Sequence, residues 1–168
     1  SELASLLTNL SVDKEERLNH TYGKSFPDAA RSLLKDFSSP PDLVAFPNTE
    51  DELINVMDWC DESNIAVIPY GGGSSVCGGV ETQVGDSYSG VVSLDLRNLN
   101  KIIEIDKDSR SARIQAGILG PDLESNLKKE NLTMRHYPQS FEFSTLGGWI
   151  ATRSGGHYAT LYTHIDDF

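Results

Sequence analysis

Basic residues are scarce in this chain. Lys and Arg total 14 against 25 Asp and Glu, a formal net charge of −11 over 168 residues. Nucleic acids and anionic membrane surfaces are held by basic patches, so neither is expected as a partner. Cysteine is nearly missing. Cys60 and Cys77 lack clustered histidines around them, which makes a weak metal pattern, and nothing favours a disulfide between them. Cys60, next to Trp59 in a helical pattern, reads as a small buried apolar residue. Cys77 falls in a glycine-rich loop, within range of a ligand. No run approaches the ~18 apolar residues of a membrane span. No secretory signal is visible, and a start at Ser1 leaves room for a trimmed N-terminus. His20, His136 and His164 are scattered without ligand spacing and read as surface or capping residues, so no metal is expected. Asp106, Asp108, Asp166 and Asp167 read as turn or solvated charges.

What is present is a regular alternation of short elements. Residues 1–36 read as helical, with Leu6, Leu7 and Leu10 clustered and Ala29, Ala30, Leu33 and Leu34 at helical spacing. Ser38-Ser-Pro-Pro41 marks a boundary. Leu43-Val-Ala-Phe46 reads as a strand stopped by Pro47. Thr49-Glu-Asp-Glu52 has the form of a capping box, and Leu53, Val56, Met57 and Cys60 follow on one helical face up to about Asn64. Ile65–Ile68 is a second strand, so strand, helix and strand suggest a βαβ unit with parallel strands. Three more strands are expected at Val91–Asp95, Lys101–Asp106 and Ala112–Ala116, with a turn at Asp106–Ser109. Gly120-Pro-Asp-Leu opens a helix carrying Leu123 and Leu127 inward, with Asn131 at its C-cap.

The most informative stretch comes after the second strand. Between Gly71 and Gly79 stand five glycines and two serines. Such a loop lets a ligand approach the main chain, and consecutive N–H groups can converge on an anion. A Walker loop is excluded because no lysine lies between Asn64 and Asn100. A dinucleotide fingerprint counted from Gly71 puts Val76 where the third glycine belongs, and residues Gly78 to Gly85 are poor helix formers. The loop is therefore a phosphate cradle of another kind. A second constellation runs from His136 to Trp149 and on through Ile150-Ala-Thr-Arg-Ser-Gly-Gly156. It offers the hydroxyls of Ser140, Ser144 and Thr145 and close approach at Gly147-Gly148; alone it also reads as a turn-rich connector. Trp149 reads as a packing residue of a helix starting near Gly147.

Pro69-Tyr-Gly-Gly-Gly-Ser-Ser75, together with Gln139-Ser-Phe-Glu-Phe-Ser-Thr-Leu-Gly-Gly-Trp-Ile150 and Thr152-Arg-Ser-Gly155, resembles the flavoproteins related to vanillyl-alcohol oxidase. These share the FAD-binding domain named after p-cresol methylhydroxylase. The branch it is most similar to is that of the alkyldihydroxyacetonephosphate synthases and their bacterial relatives. The likeness runs from about Phe37 to the end of the chain. One departure is visible: Gln139 stands where the family has Asp, keeping an acceptor and dropping the charge.

The resemblance implies an α+β fold. It would be an incomplete FAD-binding domain of two α/β subdomains, residues ~40–80 and ~91–168, within 37–168, behind a helical N-terminal extension at 1–36. It implies FAD as cofactor, with Pro69, Tyr70, Gly71, Gly72, Gly73, Ser74 and Ser75 around the diphosphate. Gln139, Ser140, Ser144, Thr145 and Gly148 would line the nucleotide path, and Thr152, Arg153, Ser154 and Gly155 would pass near the ribityl chain or the ring. Arg153-Ser-Gly-Gly-His-Tyr158 imitates a string that carries covalent FAD in berberine-bridge-type relatives. There that string is the diphosphate loop itself; here that loop is 69–79 and holds no histidine. Non-covalent FAD is the expectation, with His157 at the surface or near the flavin. The likeness further implies a longer parent enzyme, a substrate-binding cap domain beyond Phe168 that supplies most of the acid–base residues, and a full-length homodimer. The activity would be that of a flavin-dependent oxidoreductase, with flavin N5 as reactive atom, of the synthase type. D-2-hydroxyacid dehydrogenation (lactate, glycolate) is the alternative, and a non-catalytic nucleotide-binding module a third reading. The expected location is the cytoplasm, or the peroxisome for a eukaryotic synthase.

Overall fold

Three short β-branched or aliphatic runs build the first sheet of this computed structural model, which describes residues 5, 7–157 and 164–168. They are β2 (Leu43–Ala45), β3 (Ile65–Tyr70) and β4 (Gly90–Asp95). β4 lies between the other two and pairs with both in parallel, Val44 opposite Ser93 and Pro69 opposite Leu94. β3 is thus an edge strand, the position at which a sheet tolerates proline. On the far side β1 (Leu10–Ser11) pairs antiparallel with β2.

Helix α3 (Glu50–Glu62) makes the crossover between β2 and β3. Thr49 caps it by accepting from the Glu52 amide. The second half of the expected box differs: the Glu52 carboxylate takes the Asn48 amide and the Thr8 hydroxyl. The inner face of α3, Val56 and Cys60, packs with Leu7, Ala45, Val92 and Leu94 into one apolar core. Burial pushes the Cys60 thiol up to about 11, as befits a packed, unreactive side chain. Before β2 come α1 (Lys14–Asn19) and α2 (Phe26–Leu33). α2 carries a complete capping box between Ser25 and Asp28.

The helical reading of residues 1–36 needs correction at Leu10-Ser11, where two residues fill the edge beside β2 instead. Leu6 of the expected apolar cluster lies outside the described residues. A second difference concerns Val91–Asp95. These residues are the centre of the first sheet rather than the opening of the second subdomain, because β4 finds parallel partners on both sides.

The chain divides into two units, Ser1–Asn98 and Leu99–Phe168. In the second, β5 (Ile102–Asp106) and β6 (Ser111–Ile114) form an antiparallel hairpin, its turn tied by the Asp106 carboxylate to the amides of Asp108 and Ser109. Helix α4 (Gly120–Lys129) starts with Pro121 in its first turn and ends before Asn131, which takes the left-handed conformation at φ 60°. Helix α5 (Leu146–Thr152) follows, and a 3₁₀ turn, Ile165–Asp167, closes the unit. Ile118, Leu123, Leu127, Leu146, Trp149 and Ile165 make its core. The fold is mixed α/β with two sheets, as expected. No helix among the described residues is long and apolar enough to cross a membrane.

Candidate functional site

Parallel sheets bind ligands outside the carboxyl ends of their strands, and the glycine loop leaves β3 at such an end. The backbone reaches φ +64° at buried Gly73. A Cβ there would lie 2.1 Å from the Tyr70 hydroxyl oxygen, so both conformation and space demand glycine. Tyr70 turns its phenol under the loop and donates to the Asn19 carbonyl at 3.2 Å. Ser75 closes the turn, its hydroxyl accepting from the Gly79 amide at 2.9 Å, with the exposed Cys77 sulfur 3.7 Å away. Among the described residues, no amide from Gly71 to Gly78 donates a hydrogen bond within the chain. Peptide donors left unpaired on a loop are satisfied by solvent or by a ligand. A row of them, with no lysine, is the donor set that a diphosphate needs in a chain of net charge −11. The loop therefore fits the nucleotide that the sequence pattern implies.

Beside the loop, at the carboxyl end of β4, Asp95 is fully buried. It accepts from His20 Nε2 at 2.8 Å and from Arg97 Nε at 2.9 Å and Nη2 at 2.6 Å. Burial pushes the Asp95 carboxyl up, but the hydrogen bonds from His20 and Arg97 outweigh it and hold the group below its ordinary range. The His20 ring lies 4.2 Å from the Tyr70 ring and its Nδ1 donates to the Glu16 carbonyl at 2.7 Å. The surface reading of His20 is corrected: it caps α1, but at 1% exposure. Burial, and secondarily the Asp95 charge, push the Tyr70 phenol up, so it stays a neutral donor. Sequence reasoning missed His20, Asp95 and Arg97. The only local signal was an acid–x–base pair at the end of a strand.

In the second unit, Ser144 and Thr145 are buried, and their hydroxyls serve the protein itself. Ser144 donates to the Ser140 carbonyl at 2.8 Å and accepts the Trp149 indole N–H at 2.6 Å. Thr145 caps α5 by accepting from the Gly148 amide at 3.2 Å. Trp149 is a packing residue, 2% exposed, as its helical position suggested. Gln139 and Thr152 are exposed, and the Thr152 hydroxyl bonds the Gly148 carbonyl at 2.9 Å. Arg153 ends α5 in the left-handed conformation and reaches Asp166 at 2.6 Å, which lowers the Asp166 carboxyl. Ser154 binds His136 Nε2 at 2.8 Å, and Gly155 bridges to His164. His136 is also corrected: it is 1% exposed against Trp149, and burial lowers its imidazole. His157 is exposed; its amide donates to Tyr137, while Tyr158 lies outside the described residues.

Loop, strand order and motif spacing define a flavin-nucleotide-binding domain. The chain belongs to the FAD binding domain family, which it matches over residues 41–168. It is 40% identical over 158 residues to an alkyldihydroxyacetonephosphate synthase of Dictyostelium discoideum, covering 94% of this chain and 26% of that protein. A glycolate oxidase subunit GlcD of Bacillus subtilis is 32% identical, covering 95% of this chain and 34% of that one. A solved alkyldihydroxyacetonephosphate synthase superposes with a TM-score of 0.89 at 39% identity, covering 95% of this chain and 30% of that one. A p-cresol methylhydroxylase shares the fold, with a TM-score of 0.66 at 19% identity, over 92% of this chain and 28% of that one. The chain spans about a quarter to a third of the length of these relatives. It is an FAD-binding domain resembling that of the synthases, and its relatives are enzymes.

Proposed function

We propose that the 69–75 loop holds the FAD diphosphate and that the 139–155 segment holds the rest of the cofactor without a covalent bond. The row of unpaired amides from Gly71 to Gly78 carries this reading. Pro69 and Tyr70 aim the strand; Gly71, Gly72, Gly73, Ser74 and Ser75 present N–H groups to the phosphates. In the second segment the exposed residues Gln139 and Gly155 and the half-buried Gly148 offer the contact surface. Ser140, Ser144, Thr145 and Ser154 keep that backbone in shape, and Thr152 and Arg153 close α5 beside it. Bound FAD supplies a redox-active isoalloxazine ring; the residues of this chain bind and orient it.

For the whole enzyme we propose the synthase activity, exchange of an acyl for an alkyl group on a dihydroxyacetone phosphate ester, with substrate bound by a further domain and two copies per assembly. The likeness to a glycolate oxidase subunit supports D-2-hydroxyacid oxidation as the second reading. The proposed location is the cytoplasm, or the peroxisome in a eukaryote. Acid precipitation of the yellow protein tests the cofactor bond: flavin should stay in the supernatant, and flavin in the pellet contradicts this proposal. Assaying the full-length enzyme with an acyl ester and with D-lactate or glycolate separates the two activities.

A further inference from the structure

We propose that residues 20–24, which lie outside the family match at 41–168, are a brace that sets the shape of the glycine loop and so the affinity for FAD. The inference rests on that loop being the diphosphate site. Among the described residues, one hydrogen bond ties residues 71–77 to another segment: Lys24 N–H donates to the Ser75 carbonyl at 2.7 Å. Gly23 packs against the same carbonyl so closely that a Cβ would lie 2.2 Å from its oxygen. The second tether acts from below. Tyr70 supports Gly73, and Tyr70 is itself held by the Asn19 carbonyl and the His20 ring.

His20 is fixed at both ring nitrogens, by Glu16 and by Asp95. Asp95 is fixed in turn by Arg97. The chain of contacts therefore runs from the end of β4 through His20 to both sides of the loop. An ionic cluster of this kind is weak evidence for stability, since apolar packing often does as well; what it does here is hold the buried His20 ring and Asp95 carboxylate against each other. The loop has few bonds of its own, so its amides converge only while this segment holds Ser75 and Tyr70 in place. Residues 20–24 are positioning residues, and the backbone is what acts.

The test is FAD titration into the 168-residue chain, read by flavin fluorescence, with thermal midpoints measured alongside. Gly23→Ala and Lys24→Pro should weaken FAD binding by about ten-fold or more, because one displaces the Ser75 carbonyl and the other deletes its donor. Lys24→Ala keeps the amide and should bind as wild type. Val56→Ala, in the core behind α3, lowers the midpoint and should leave FAD affinity unchanged. Wild-type affinity in both Gly23→Ala and Lys24→Pro would overturn the brace, as would losses that Val56→Ala shares at equal midpoint. Gly72→Val separates this from the parent reading. If it loses FAD while Gly23→Ala and Lys24→Pro keep it, only the brace fails. If it too keeps FAD, the loop assignment falls and the brace with it.

Discussion

Asp95 has no exposed surface, and its carboxylate is held by His20 and Arg97 on the face of β4 opposite Val92 and Leu94. Removing its charge leaves the buried His20 ring and the half-exposed Arg97 guanidinium facing a neutral amide. Asp95→Asn should therefore cost about 1–3 kcal/mol in urea unfolding, through the hydrogen bonds lost at a buried site. Acid adds a signature. A carboxyl lowered on folding contributes stability that is full above the ordinary carboxylate value and is lost as pH falls through its folded value. His136 is lowered by burial, so its contribution is full above the ordinary imidazole value and is lost as pH falls through its own folded value. Wild-type stability should thus decline in two steps on acidification, and Asp95→Asn should show a smaller lower step, the remainder coming from the other lowered carboxyls, Glu52, Asp106, Glu130 and Asp166; an unchanged profile would contradict this. At this scale the sequence was legible where a residue's neighbours along the chain decide its role. Trp149 and Cys60 declared themselves as packing residues by helical position. His20 and His136 did not, because their partners Asp95 and Ser154 come from remote segments that only folding brings together.

At the scale of elements, most boundaries follow from local chemistry. Thr49 starts α3, Pro121 sits in the first turn of α4, and Asn131 takes the left-handed position after it. Helix α5 depends in the same way on Thr145, whose hydroxyl accepts the Gly148 amide. Thr145→Ala should cost about 1 kcal/mol of stability, measurable by thermal or urea unfolding; a neutral effect would mean that the cap does not hold the 139–155 segment. β1 escaped the sequence because a two-residue strand has no periodicity to read. The place of β4 between β2 and β3 escaped it for another reason: alternation marks a strand, while its neighbours are set by pairing across the fold. The capping box at Ser25–Asp28 was legible in principle but was masked by reading residues 1–36 as one helical stretch.

At the scale of the whole molecule, two units each carry one of the two motifs, the loop in Ser1–Asn98 and the 139–155 segment in Leu99–Phe168. Cofactor class was legible because Gly71–Gly79 and Gln139–Gly155 occur in order, and the family match over 41–168 agrees. The support from residues 20–24 was not, since main-chain contacts such as Lys24 to Ser75 leave no side-chain pattern. The central claim is that the main chain of the glycine loop holds FAD. It is tested most directly by titrating FAD into wild-type and Gly72→Val protein, following flavin absorbance in the visible range, with circular dichroism to confirm the fold. The account predicts that wild type takes up flavin, that Gly72→Val retains none, and that both give the same folded spectrum; equal flavin content in the two proteins would contradict it.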